Sequence, residues 1–139
     1  MLIREAVPSD IPRLHVIRMA VKENVLNNPL LVTEADYQKF IAAPNKGWVA
    51  EKDGVIIGFA IIDVETKNIW ALFVDPAFEK QGAGRLLHDA MTDWYFSNHD
   101  DDLWLGTAPG TRAEAFYTKA GWKNCGMRAN GEIRFEMKK

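Results

Sequence analysis

Apolar positions along the chain recur with two periods, and the switches between them mark out short elements. Leu2 to Ala6 reads as an opening strand. Ile11, Leu14, Ile17, Val21 and Val25 then recur at helical spacing, with Ser9 or Asp10 as the cap and Asn27-Asn28-Pro29 as the stop. Thr33-x-x-Asp36 resembles a capping box ahead of a second helix carrying Tyr37, Phe40 and Ile41, which Pro44-Asn45 ends. Three strands follow as a meander: Trp48 to Lys52, Val55 to Val64 and Ile69 to Val74. Asp53-Gly54 forms the first hairpin turn and Thr66-Lys67-Asn68 the second. The apolar run of Val55 to Val64 predicts a strand buried on both faces. Beyond Pro76 the period lengthens again, with Leu87, Ala90, Met91 and Trp94 predicting a helix from about Gly82 to Tyr95. A strand at Leu103-Trp104-Leu105, a helix from about Thr111 to Lys119 and a hairpin of Trp122–Arg128 against Glu132–Met137 complete the chain. The order β-α-α-β-β-β-α-β-α-β-β is that of an α/β (α+β) fold.

Composition narrows the classes. The 139 residues fit one domain spanning 1–139, with 47% apolar residues to build a core and 26% charged ones. Seventeen Lys and Arg against nineteen Asp and Glu leave a net charge of -2, without the basic footprint of a nucleic-acid or anionic-membrane partner. No apolar run reaches the ~18 residues of a membrane span, and Met1-Leu2-Ile3-Arg4-Glu5 lacks a signal-peptide pattern, so a cytoplasmic protein is expected. Cys125 is the only cysteine, which precludes an internal disulfide; it reads as a small buried hydrophobe in the terminal hairpin, and no metal site is expected.

Candidate chemistry concentrates in Leu72-Phe73-Val74-Asp75-Pro76-Ala77-Phe78-Glu79-Lys80-Gln81-Gly82-Ala83-Gly84-Arg85. A strand runs into a turn with two glycines, and a helix starts at once. The first amides of a helix lack intrahelical partners and carry partial positive charge, so such a turn can hold a phosphate or diphosphate; Lys80 and Arg85 add cations at its rim. A tight connection that needs glycine only for its geometry is the alternative. A P-loop requires Lys and then Ser or Thr after the last glycine, where Arg85 and Leu86 stand. A dinucleotide fingerprint requires a third glycine at Leu87. Neither motif fits.

At these residues the chain resembles the GCN5-related N-acetyltransferase (GNAT) superfamily over nearly its whole length. Gly82 and Gly84 match the small positions of that family's Gln/Arg-x-x-Gly-x-Gly/Ala motif, although Glu79 replaces the usual Gln or Arg. Ala113-x-x-Phe116-Tyr117-x-x-x-Gly121-Trp122 is similar to its Ala-x-x-Phe-Tyr-x-x-x-Gly-Phe. The resemblance implies a mixed, mostly antiparallel sheet flanked by helices, with acetyl-CoA as co-substrate. It implies that Leu72, Phe73 and Val74 pair with the pantetheine arm as an added strand would. Lys80, Gln81, Gly82, Ala83, Gly84 and Arg85 would surround the diphosphate. Thr111 or Arg112 would stand in for an Asn common in the family. It further implies acetyl transfer to an amine of a small molecule, peptide or protein by direct attack in a ternary complex, with the Val74 amide as an oxyanion donor and Tyr117 protonating the departing thiolate.

The proton acceptor is less marked in the sequence. The strand position at which relatives carry a glutamate falls near Asn68, which cannot take a proton. Glu65 is the first candidate, with Asp63, Glu34, His15 or a water chain as alternatives. Trp48 and Trp70 are candidate walls of an acceptor pocket, whereas Trp94, Trp104 and Trp122 read as core, the more frequent role of large aromatics. A non-catalytic acyl-CoA-binding domain is the competing function, and a different phosphate ligand is a third. Oligomeric state is open, the exposed strands and terminal hairpin being compatible with a homodimer.

Overall fold

Six consecutive buried residues, Ile57 to Ile62, lie at the heart of the longest strand and require cover on both faces. The computed structural model describes residues 1–21 and 32–139 and supplies that cover. The strands are β1 (Leu2–Glu5), β2 (Lys46–Lys52), β3 (Val55–Asp63), β4 (Asn68–Val74), β5 (Leu103–Thr107), β6 (Lys123–Met127) and β7 (Ile133–Met137). They form one seven-stranded sheet in the order β1-β2-β3-β4-β5-β7-β6. Among the described residues only the β4–β5 pair is parallel. The helices are α1 (Ile11–Ala20), α2 (Glu34–Ile41), α3 (Ala83–Asn98) and α4 (Arg112–Lys119). The mixed, mostly antiparallel architecture and the element order agree with those expected.

Each face has its own core. Ile11, Leu14 and Ile17 of α1 and Tyr37 and Ile41 of α2 pack with Val49, Phe59, Ile61 and Ala71. On the other face Ala83, Leu87, Met91 and Tyr95 of α3 and Tyr117 of α4 pack with Ala60, Ile62, Leu105 and Phe135. The period-2 alternation along β3 divides its side chains between these two layers.

Local chemistry explains the boundaries. Asp53 and Gly54 adopt φ of 52° and 79°, the left-handed pair of a two-residue hairpin. The Thr33 capping box is closed on both sides: Asp36 N–H donates to Thr33 Oγ1 (3.2 Å) and Thr33 N–H to Asp36 Oδ2 (2.8 Å). The start of α1 differs from expectation, since Pro8–Asp10 form a 3-10 turn and neither Ser9 nor Asp10 caps the helix with its side chain. That helix ends at Ala20 because Val21 is extended (ψ 113°); Val25 and the stop at Asn27–Pro29 lie outside the described residues. Helix α3 continues past Tyr95 to Asn98, and β5 continues past Leu105 to Thr107.

Asp10 is used elsewhere. Its carboxylate takes two hydrogen bonds from the Arg4 guanidinium (2.9 Å each) and one from Val7 N–H (2.8 Å), tying β1 to the start of α1. The Arg4 hydrogen bond is the main cause of an Asp10 pKa held below its ordinary value. A depressed carboxylate stabilises the fold above its unfolded pKa of about 3.9, and the contribution disappears as pH falls through the folded value. Asp10→Ala is therefore expected to cost about 1.5–3 kcal/mol at neutral pH. Its urea midpoint should converge on that of the unchanged protein in acid; a gap that widened in acid would contradict this role.

Candidate functional site

Strands β4 and β5 meet at one register pair, Asn68 with Trp104, and separate beyond it. The junction is fixed by three hydrogen bonds: Trp104 N–H to Lys67 O (3.0 Å), Trp104 Nε1 to Thr66 O (2.9 Å) and Asn68 Nδ2 to Trp104 O (3.3 Å). Past it opens a cleft of about 110 Å³ lined by Ile69–Phe73 of β4, Leu105–Thr107 of β5, and Ala113 and Tyr117 of α4. Strand β4 pairs with β3 as far as Val74, so its opposite edge is left without a strand partner along the cleft. Such an edge presents backbone donors and acceptors to an extended ligand arm. Trp70 is the extra residue of a bulge, since Ile61 pairs with Ala71 and Ile62 with Ile69. Bulges re-aim side chains, and Trp70 and Ala71 both belong to the α1/α2 face here.

The outer end of β4 leads to the start of α3. Asp75 ion-pairs with Arg13 (2.7 Å) and accepts from Ala77 N–H (3.0 Å), ending the strand in a short 3-10 turn. Lys80 and Gly82 then take positive φ (62° and 88°), and Gly82 is the N-cap of α3. The first turn of α3 contains no acidic side chain, so its amides keep their positive potential. Ala83 is buried, Gly84 is half-buried between Val74 and Phe116, and Lys80, Gln81 and Arg85 are exposed around the turn. Lys52 Nζ holds Gln81 (2.7 Å), and Arg85 pairs with Asp89 (3.2 Å). Thr111 caps α4, accepting from Glu114 N–H (3.3 Å). Arg112 forms an ion pair with Glu79 between the two helix starts, so the unexpected carboxylate is matched by a guanidinium from α4.

Tyr117 is buried at the cleft wall, its ring packed on Phe116, Trp122 and Phe135. Burial pushes its phenol pKa well above the ordinary value. Its hydroxyl has no hydrogen-bond partner among the described residues. Trp122 Nε1 donates to His88 Nε2 (2.9 Å), which fixes the tautomer with the proton on Nδ1, donated to Asp89 Oδ1 (2.9 Å). This Asp89–His88–Trp122 chain braces the aromatic wall that Tyr117 leans on. His88 carries no motif in the sequence; its place on the stripe Leu87, His88, Met91, Thr92, Tyr95 is the one signal of its burial.

Other expected residues are dispersed. Glu65 is exposed in the β3–β4 turn, which a Lys67 N–H to Val64 O bond closes (3.3 Å), and it does not line the cleft. Asp63 is engaged with Thr66 in the same turn (2.7 Å). His15 Nδ1 is bonded to the Tyr37 hydroxyl (3.0 Å), and both line a cavity of about 530 Å³ that Glu34 borders. Trp48 is core rather than a pocket wall, whereas Trp70 lines the cleft and stacks on Phe40 (4.6 Å). The Arg18 guanidinium lies 5.0 Å from the ring centres of both Trp70 and Phe73. Cys125 is exposed, not buried, because β6 is an edge strand whose residues are all exposed. Among the described residues no cluster of His, Cys, Asp and Glu could hold a metal, and no helix is long and apolar enough to cross a membrane.

Comparisons with known proteins agree with this fold. The structure is similar to the paiA N-acetyltransferase of Thermoplasma acidophilum in complex with coenzyme A (TM-score 0.87, 15% identity, 99% of this chain and 98% of that one). It is also similar to the ribosomal-protein-alanine N-acetyltransferase of Brucella melitensis (TM-score 0.83, 21% identity, 100% of both chains). A third similar structure is yncA, a putative acetyltransferase of Salmonella typhimurium, with its cofactor acetyl-CoA (TM-score 0.78, 18% identity, 99% and 93%). No curated protein matches the sequence. The acetyltransferase (GNAT) family model matches residues 11–122, which takes in α1, the diverging strands, the glycine turn and Tyr117, and the chain belongs to that family.

Proposed function

We propose that the chain transfers the acetyl group of acetyl-CoA to an amine of a small molecule or peptide by direct attack within a ternary complex. The observation that carries this reading is the divergence of β4 from β5, with the start of α3 at one end of the opening and Tyr117 on its wall. The coenzyme-bound relatives support it.

The residues present fit the co-substrate. The cleft-facing edge of β4 at Leu72, Phe73 and Val74 offers backbone groups to the pantetheine amides. The amides of Gly82, Ala83, Gly84 and Arg85 face the diphosphate, with Lys80 and Arg85 as rim cations and Gln81 steadied by Lys52. Thr111 and Arg112 border the same mouth from α4. Tyr117 gives its proton to sulfur as the C–S bond breaks, and amides on the unpaired β4 edge, with Val74 among them, hold the carbonyl oxygen as charge develops there.

Glu79 gives a test of the diphosphate position. Removing its negative charge while keeping its shape lessens the repulsion of phosphates beside the two helix starts, so Glu79→Gln is expected to bind CoA about 2- to 5-fold more tightly at low salt. The gain should fade as salt rises. Isothermal titration reads the change; weaker binding would place the diphosphate elsewhere.

The exposed position of Glu65 favours a second reading, an acyl-CoA-binding domain without catalysis. Thiol release from acetyl-CoA separates the two, assayed over a primary alkylamine, a diamine, a free amino acid and a peptide with a free N-terminus. Amine-dependent release supports transfer, and saturable CoA binding with no release on any of them supports the binding domain.

A further inference from the structure

Resting on the acetyl-transfer reading, we propose that Glu132 is the carboxylate that takes the proton from the incoming ammonium group. The observation is Gly106. Leu103 and Leu105 of β5 point into the α3/α4 core, so Trp104 and Gly106 face the other side. A Cβ on Gly106 would lie 2.7 Å from Glu132 Oε1 and 3.0 Å from Arg128 Nη1. The Glu132 carboxylate therefore lies directly on the backbone of a residue that lines the cleft. Gly106 leaves the space it occupies.

The site is built from the β6–β7 hairpin. Arg128 N–H donates to Glu132 O (2.6 Å), and Glu132 N–H donates to Asn130 Oδ1 (3.0 Å), fixing the turn. Asn130 Nδ2 (2.8 Å) and Arg128 Nη1 (3.1 Å) both donate to Glu132 Oε1. One oxygen is thus held, while Oε2 has no protein partner among the described residues. The charged groups around it are Arg128 on the hairpin and Arg134 next along β7, the latter paired with Glu136 (2.7 Å). Both guanidinium groups pack on the Trp104 ring, at 4.8 and 4.5 Å from its centre. Across the cleft on the same face stand Trp70 and Phe73 of β4. Tyr117 belongs to the opposite face. Tyr117 thus lines the cleft from one face, and Glu132 lies against the cleft-lining Gly106 on the other.

The protons balance. An ammonium group donates one proton to Glu132 Oε2, directly or across one water, and its freed lone pair forms the C–N bond at the thioester carbon. As the intermediate collapses the C–S bond breaks and Tyr117 protonates the thiolate. The second proton leaving nitrogen returns to the Tyr117 oxygen through water, and Glu132 releases its proton to solvent. The products are the amide and free CoA thiol.

The test uses the full chain and the amine of the panel with the highest kcat/KM, comparing Glu132→Gln and Gly106→Ala with the unchanged protein. Without a base the enzyme must wait for neutral amine, whose share rises tenfold per pH unit below the amine pKa. Glu132→Gln should lower kcat/KM about 100-fold at pH 7, leave CoA affinity unchanged, and recover toward the unchanged protein as pH approaches that of the free amine. Gly106→Ala keeps the carboxylate but pushes it away from the cleft-lining backbone; since the atoms displaced are the ends of flexible side chains, the fold survives and the same pH-dependent loss is expected. A loss under threefold in Glu132→Gln, or a loss that stays constant with pH, overturns the assignment while leaving acetyl transfer standing. An unchanged protein that turns over no amine takes down both.

Discussion

Replacing Tyr117 by phenylalanine should lower kcat by about 100- to 1,000-fold while leaving CoA affinity within about twofold. The ring, with its packing on Phe116, Trp122 and Phe135, is retained, and the hydroxyl that is lost has no hydrogen-bond partner among the described residues. Deleting it strands no buried donor or acceptor, so stability should change little. The wall around Tyr117 also decides its protonation. Burial disfavours the phenolate and moves the pKa upward from the ordinary value near 10. Tyr117 then keeps its proton throughout the neutral range, as a general acid must, and it causes no fall in rate until well above pH 10. Stopped-flow and steady-state thiol release measure both effects. A Tyr117→Phe enzyme with undiminished kcat, or an unchanged enzyme losing activity through a tyrosine ionisation near pH 8, would remove this residue from the chemistry.

The second large effect is on stability. Phe59 is fully buried in β3, with its ring 5.7 Å from that of Phe73 and 6.5 Å from that of Tyr37. It links α2 to the strand that forms one side of the cleft. Truncation to alanine removes the ring and leaves a void between rigid elements, at a cost of about 3–5 kcal/mol. That is a large part of the 5–15 kcal/mol that stabilises an ordinary domain. Urea denaturation should show a lower midpoint, and because Phe73 lines the cleft, activity should fall before global unfolding. A loss under about 1 kcal/mol would mean the α1/α2 layer collapses onto the vacancy.

Local signals carried the element order. The Asp53-Gly54 turn, the Thr33 capping box and the change of period after Pro76 are each decided within a few residues, and each appears in the structure. The glycine turn and the Tyr117 motif were legible for the same reason: their spacing is set along one strand–helix connection or one helix. What escaped depends on contacts between distant segments. Glu79 read as a misplaced carboxylate because its partner, Arg112, lies on another helix. Glu132 gave no signal because only the order β5-β7-β6 brings its hairpin over Gly106, and β5 itself was expected to stop at Leu105. Glu65 looked close to the chemistry from its place beside β4, yet the strands separate beyond Asn68 while Glu65 precedes it. Cys125 was assigned to the interior from residue type alone, and edge position overrode that preference.

In the proposed reaction the amides at the start of α3 hold a diphosphate and so bring a thiol to Tyr117. A crystal structure of the protein grown with coenzyme A shows whether they do. The expected result is the diphosphate on the backbone amides between Gly82 and Arg85, the pantetheine arm along β4, and the sulfur within about 3.5 Å of the Tyr117 hydroxyl. Coenzyme A bound away from that turn, or a Tyr117 hydroxyl turned from the sulfur, would contradict it.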